Sequence, residues 1–152
     1  MTCTIKLINY CPVKSLSFQS INSCQIKKNL GMPNDRIFAF SRGIDPEKAK
    51  TIEKNPKDRK LNNFLTLKNS PVLNKYNFSY KGNKLTLILD GEEIISISAD
   101  DQNEKSSLSK KLFELESTLI NPIILLKNTE YPFYDTSHSN NVFNSISLIN
   151  LN

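Results

Sequence analysis

The sequence predicts a mainly β, α+β fold with one or two helices, and three observations carry that expectation. Short runs of β-branched, leucine and aromatic residues alternate with polar ones through most of the chain. Gly82 and Asp90-Gly91 punctuate two of these runs at hairpin spacing. Only one stretch, residues 103–117, repeats its leucines at helical spacing.

Taken in order, Ile5, Leu7 and Tyr10 alternate with polar neighbours and read as a first strand. Residues 21–26 and 36–40 carry β-branched or aromatic residues near period two and read as the next two. Residues 44–62 break the pattern: they concentrate Lys, Glu and Asp with Pro46 and Pro56, so an exposed loop with at most a short helix is expected. Phe64-Leu65-Thr66-Leu67 resumes a strand. Tyr76-Asn77-Phe78-Ser79-Tyr80 then runs through Lys81-Gly82-Asn83 into Lys84-Leu85-Thr86-Leu87-Ile88-Leu89, a hairpin whose turn Gly82 eases by accepting positive φ. Asp90-Gly91 leads on to Glu93-Ile94-Ile95-Ser96-Ile97, which makes a three-stranded meander with one apolar face.

The helix follows, with Leu108, Leu112 and Leu115 at i, i+4 and i+7 behind the capping candidates Asp100 and Asp101. After it, Asn121-Pro122-Ile123-Ile124-Leu125-Leu126-Lys127 is a short continuous apolar run suited to a buried strand. The tail turns aromatic at Tyr131-Pro132-Phe133-Tyr134, passes an Asn- and Ser-rich stretch, and stops inside an alternating segment, residues 145–152. A strand without its partner leads us to expect a truncated unit there.

Composition narrows the functional classes. The chain has 152 residues, enough for one moderate core, and 20 basic against 15 acidic residues give a formal charge of +5. That favours anionic partners mildly. The lysine-rich residues 48–60 are interleaved with Glu47, Glu53 and Asp58 and lack aromatics, which reads as a solvated segment and not as a nucleic-acid interface. Cys3, Cys11 and Cys24 are odd in number and show no CxxC spacing, so neither a zinc site nor a disulfide framework is indicated. No apolar run reaches the roughly 18 residues of a membrane span, and no basic-then-apolar leader opens the sequence. A soluble, cytoplasmic protein is expected.

The chemistry concentrates in Asn9-Tyr10-Cys11-Pro12-Val13-Lys14-Ser15 and in Asn34-Asp35-Arg36-Ile37-Phe38. Pro12 fixes the backbone ahead of Lys14, and Arg36 offers a planar fork of donors, so Lys14, Ser15 and Arg36 can place a cation, a hydroxyl and a guanidinium around one anion. Phosphate is the natural occupant. Each residue also has a plainer reading: a solvated Lys-Ser pair at a strand end, and an Arg36 paired with Asp35 or Glu47. Cys11 near Lys14 is either an activated thiol or a small buried core residue, and the lone His138 reads as a solvated side chain.

In this order the motifs resemble the MOSC family, relatives of the carboxy-terminal domain of molybdenum cofactor sulfurase and of the amidoxime-reducing components. Tyr10 to Ser15 resembles the family's tyrosine-proline-valine-lysine-serine strand end, and Gly31 followed by Asp35-Arg36-Ile37-Phe38 resembles its glycine and aspartate-arginine element. Phe64-Leu65-Thr66-Leu67-Lys68-Asn69-Ser70-Pro71 matches a third element, and Asp135 with Ser147-Leu148-Ile149-Asn150 a fourth. The resemblance implies a MOSC N-terminal-like β-barrel over residues 1–130 and the start of a truncated MOSC domain over residues 131–152. It implies a module that binds the molybdenum cofactor through the molybdopterin phosphate, with Lys14, Ser15 and Arg36 as contacts and Asp135 or Thr136 as a lesser one.

On that reading metal ligation and redox or sulfur-transfer chemistry, with a corresponding partner protein, lie beyond this chain, which is not catalytic alone. Two departures stand out. Cys11 takes the position directly before proline, which moves Tyr10 to the opposite strand face, where its packing is expected to be lost. Leu67-Lys68 replaces an arginine-bearing pair and leaves a single ammonium there. The alternative class is a non-catalytic β-barrel interaction or anion-binding module.

Overall fold

The computed structural model describes residues 5–28, 30–136 and 143–144. Its strands are β1 (Ile8–Tyr10), β2 (Gln19–Ile21), β3 (Phe38–Phe40), β4 (Tyr76–Lys81), β5 (Lys84–Leu89), β6 (Glu92–Ser98), β7 (Leu125–Lys127), β8 (Asp135–Thr136) and β9 (Phe143–Asn144). Two helices, α1 (Pro46–Lys54) and α2 (Gln102–Leu115), complete a mainly β, α+β architecture. The expected strand over residues 145–152, together with His138 and Cys3, lies outside the described residues.

The meander forms as its sequence predicts. β4 and β5 pair from Tyr76↔Leu89 to Lys81↔Lys84, so Gly82 (φ 53°) and Asn83 (φ 65°) make a two-residue loop with both central residues left-handed. Asp90 (φ 52°) and Gly91 (φ 86°) repeat the device before β6. Paired positive φ values give a turn whose twist matches that of the flanking strands. Tyr76, Phe78, Leu85, Leu87 and Ile97 bury one face against Leu108 and Leu112 of α2. Asp101 caps α2, accepting from the amides of Asn103 and Glu104 at 2.8 and 3.0 Å.

β3 and β7 make an antiparallel ribbon, Phe38↔Lys127 to Phe40↔Leu125, that divides two apolar clusters. Successive strand residues point to opposite faces. Phe38, Phe40 and Leu125 therefore enter the main core, while Ala39 and Leu126 enter a second one with Ile44, Ala49, Ile52, Phe64 and Phe133. Burial on both faces explains why Phe38-Ala39-Phe40 and Leu125-Leu126 read as unbroken apolar runs.

Several elements differ from the sequence expectation. The first strand is only Ile8–Tyr10, and Ile5 and Leu7 are exposed. The second comes earlier than residues 21–26, because β2 is positioned by polar side chains: Ser17 Oγ accepts the Phe78 amide at 2.6 Å and Gln19 Oε1 accepts the Tyr80 amide at 2.9 Å. Those bonds cover the outer edge of β4 in place of a backbone ladder. Residues 44–62 do carry the short helix allowed for them: Asp45 caps α1 by accepting from the Lys48 amide, and Ala49 and Ile52 bury its inner face.

Phe64-Leu65-Thr66-Leu67 is not a strand. It contributes one antiparallel bridge, Ser41↔Phe64, and then turns at once because Asn69 Oδ1 accepts the Thr66 amide and the Ser70 amide bonds to the Thr66 carbonyl. The apolar run at 121–127 is strand only over Leu125–Lys127. Tyr10 keeps its packing: it is buried, and its hydroxyl donates to Gln19 Oε1 at 2.9 Å. Among the described residues, no helix is long and apolar enough to cross a membrane.

Candidate functional site

The segment 11–14 runs parallel to 36–38. The Arg36 amide donates to the Cys11 carbonyl at 2.6 Å, the Phe38 amide to the Pro12 carbonyl at 3.0 Å, and the Lys14 amide to the Phe38 carbonyl at 2.8 Å. Two motifs that lie some twenty residues apart in sequence are thus neighbours. A third joins them through Phe133, whose ring packs edge-on against Phe64 at 5.6 Å and whose amide donates to the Arg36 carbonyl at 2.7 Å.

Lys14 is 3% exposed, and its ammonium donates to the Phe133 carbonyl at 3.0 Å, 5.9 Å from the centre of the Phe64 ring. Arg36 stands at the rim with its side chain 25% exposed. Its guanidinium meets Asp35 Oδ2 at 3.2 Å and lies 5.4 Å from the centre of the Tyr134 ring. Ser15 follows Lys14 in sequence and is half-buried, in a turn with φ 59°. Lys68 is exposed on the neighbouring turn.

Asp35 organises the corner. At 2% exposure its carboxylate accepts the Cys11 amide through Oδ1 at 2.8 Å and Arg36 through Oδ2, and burial raises its pKa against the lowering effect of both bonds. Cys11 is no activated thiol. Its Sγ donates to the carbonyls of Val13 and Leu16, and burial pushes it up to about 11 against the charges of Arg36 and Lys14. Burial, with the Asp35 charge, likewise raises Tyr134 to about 12, and its hydroxyl donates to the Leu30 carbonyl. Both groups are therefore neutral donors near pH 7.

Three non-glycine residues at this corner, Ser15, Asn34 (φ 63°) and Arg36 (φ 53°), occupy the left-handed region. Asn tolerates it; Ser and Arg pay about 1–2 kcal/mol each. Such backbone strain clusters where a site needs a particular side-chain direction. A hollow of about 160 Å³, lined in part by Lys27, Gly31, Asn34, Thr129 and Pro132, opens beside it.

Arg59 is a structural participant that no sequence pattern announces. Its guanidinium donates to the carbonyls of Ile52, Glu53, Tyr131 and Pro132 and stacks 4.1 Å from the centre of the Phe133 ring. Burial lowers its pKa to about 10, with Glu53 opposing. It ties the 131–133 segment to α1, and so fixes the carbonyl that Lys14 uses.

The 133–134 segment thus draws Lys14 and Arg36 together, Lys14 buried on the Phe133 carbonyl and Arg36 at the rim over the Tyr134 ring. Among the described residues, no group of three or more His, Cys, Asp or Glu side chains is placed to hold a metal ion. Comparison with protein-family models, with curated proteins and with solved structures gives no match to this chain.

Proposed function

We propose that this chain is the cofactor-binding module of a MOSC-type protein, gripping the terminal phosphate of molybdopterin with Arg36 and Ser15 while Lys14 supplies charge from below. One observation carries the reading: Lys14, Arg36 and Phe64, each from a different sequence motif, meet at Phe133 and Tyr134. Arg36 offers a bidentate fork and Ser15 a hydroxyl at a strained turn, the donor types that recognise phosphate oxygens. When bound, the cofactor supplies the redox or sulfur-transfer chemistry, and residues other than those described hold its metal. A cytoplasmic setting and a redox or sulfur-transfer partner protein belong to the same proposal.

A second reading, a non-catalytic interaction or anion-binding module, draws on the inward aim of Lys14, whose bond to the Phe133 carbonyl serves the second core as well as any ligand. Titration of the isotope-labelled chain with inorganic phosphate at fixed ionic strength separates a phosphate-binding corner from a plain interaction module. The first predicts saturable shifts at the amides of Ser15, Arg36 and Tyr134, weakened about tenfold or more by Arg36→Ala, as expected when a charge-assisted hydrogen bond is lost. Diffuse shifts that Arg36→Ala leaves unchanged favour the interaction module.

A further inference from the structure

α2 presents Gln102, Lys105, Ser106, Ser109, Lys110 and Phe113 along one side, the i, i+3, i+4 spacing of a single helical face. This face borders a groove of about 250 Å³ whose other wall is Asn121, Ile123, Ile124 and Leu125. The groove is independent of the corner described above.

Lys105 is its unusual member. Its side chain is only 10% exposed, and the nearest carboxylate, Glu53 Oε1, lies 3.7 Å away, beyond hydrogen-bond range. That oxygen is already accepting the Lys127 amide at 2.7 Å. Glu53 thus holds the Lys105 ammonium as an ion pair without a hydrogen bond to it. A nearly buried ammonium with three donors is costly unless an acceptor meets it.

We infer that this groove binds a small organic carboxylate, its head on Lys105 beside Ser106 and its short apolar body against Phe113, Ile123 and Ile124. Charge favours a monoanion, because Glu53 and Glu114 (3.9 Å from Lys110) already offset part of the positive charge of the two lysines. The cations are compact ammonium groups with no guanidinium fork to select a phosphate. Volume sets the size: the groove falls just below the range of about 300–1,000 Å³ typical of drug-sized ligand sites.

The test is an amide chemical-shift titration of the full chain with sodium hexanoate, with 1-hexanol as the neutral control. The inference predicts saturable shifts confined to residues 102–113 and 121–125, with hexanol binding about tenfold more weakly or less well still. Lys105→Met removes the head contact and keeps the stem. Ser106→Glu, at an exposed position whose hydroxyl donates to the Gln102 carbonyl, sets a like charge at the head site. Both are expected to weaken hexanoate about tenfold or more, and Ser106→Glu decides the matter if Lys105→Met does not fold. Absence of saturable shifts, hexanol binding as tightly as hexanoate, or indifference to Ser106→Glu would overturn the inference.

Discussion

Cys11 shows how one buried side chain couples the fold to pH. Its thiol titrates near 11 when folded, against an ordinary value of 9.0. The unfolded chain therefore loses its proton first, and stability falls as pH rises through that window. Unfolding by urea in a background with Cys3→Ser and Cys24→Ser is expected to show a loss of about 2 kcal/mol between pH 8.5 and 10.5 that Cys11→Ala lacks. Parallel pH profiles for the two proteins would contradict the assignment.

Ser15 makes the complementary case. At φ 59° it sits where a Cβ is costly. Ser15→Gly relieves about 1–2 kcal/mol of strain and forfeits about 0.5–1 kcal/mol of backbone entropy, so its stability is expected to equal or exceed that of the parent by up to about 1.5 kcal/mol. Phosphate affinity is expected to fall, because the hydroxyl is gone. A marked loss of stability would show that Ser15 serves the fold instead of a ligand.

At the scale of elements, legibility follows the source of the stabilisation. The two hairpins and α2 are written in local chemistry: left-handed turn pairs at Gly82-Asn83 and Asp90-Gly91, an Asp101 cap and leucines at helical spacing. Asp101→Ala is expected to cost about 1 kcal/mol, read as a shift in the urea midpoint with unchanged slope. No measurable shift would mean that packing of Leu108 and Leu112 alone holds the first turn.

β2 and the 64–67 segment were less legible because distant polar side chains decide them. Ser17 and Gln19 look like loop residues until Phe78 and Tyr80 are found to donate to them. Asn69 ends the Phe64 run by capturing the Thr66 amide, a local contact that apolar periodicity does not register. In α1 the lysines conceal a buried stripe of only two residues, Ala49 and Ile52.

For the molecule as a whole, the sequence named Lys14, Ser15 and Arg36 from residue type and order. What brings Lys14 and Arg36 to a common segment is the parallel pairing of residues 11–14 with 36–38 and the return of the chain at Phe133. Neither is periodic, and the Arg59 clamp on residues 131–133 spans more than seventy positions, so no local pattern reveals it. The inward aim of Lys14 was equally hidden: a lysine after proline and valine reads as solvated, yet the second core receives it because the Phe133 carbonyl supplies an acceptor there.

The central claim is that these motifs together grip a pterin phosphate. Its most direct measurement is the molar ratio of pterin to protein after purification from a host that makes molybdopterin, for the parent chain and for Arg36→Ala. The account predicts pterin associated with the parent and a loss of about tenfold or more in the variant, with urea unfolding showing both folded. Equal pterin content in two folded proteins, or none in either, would contradict it.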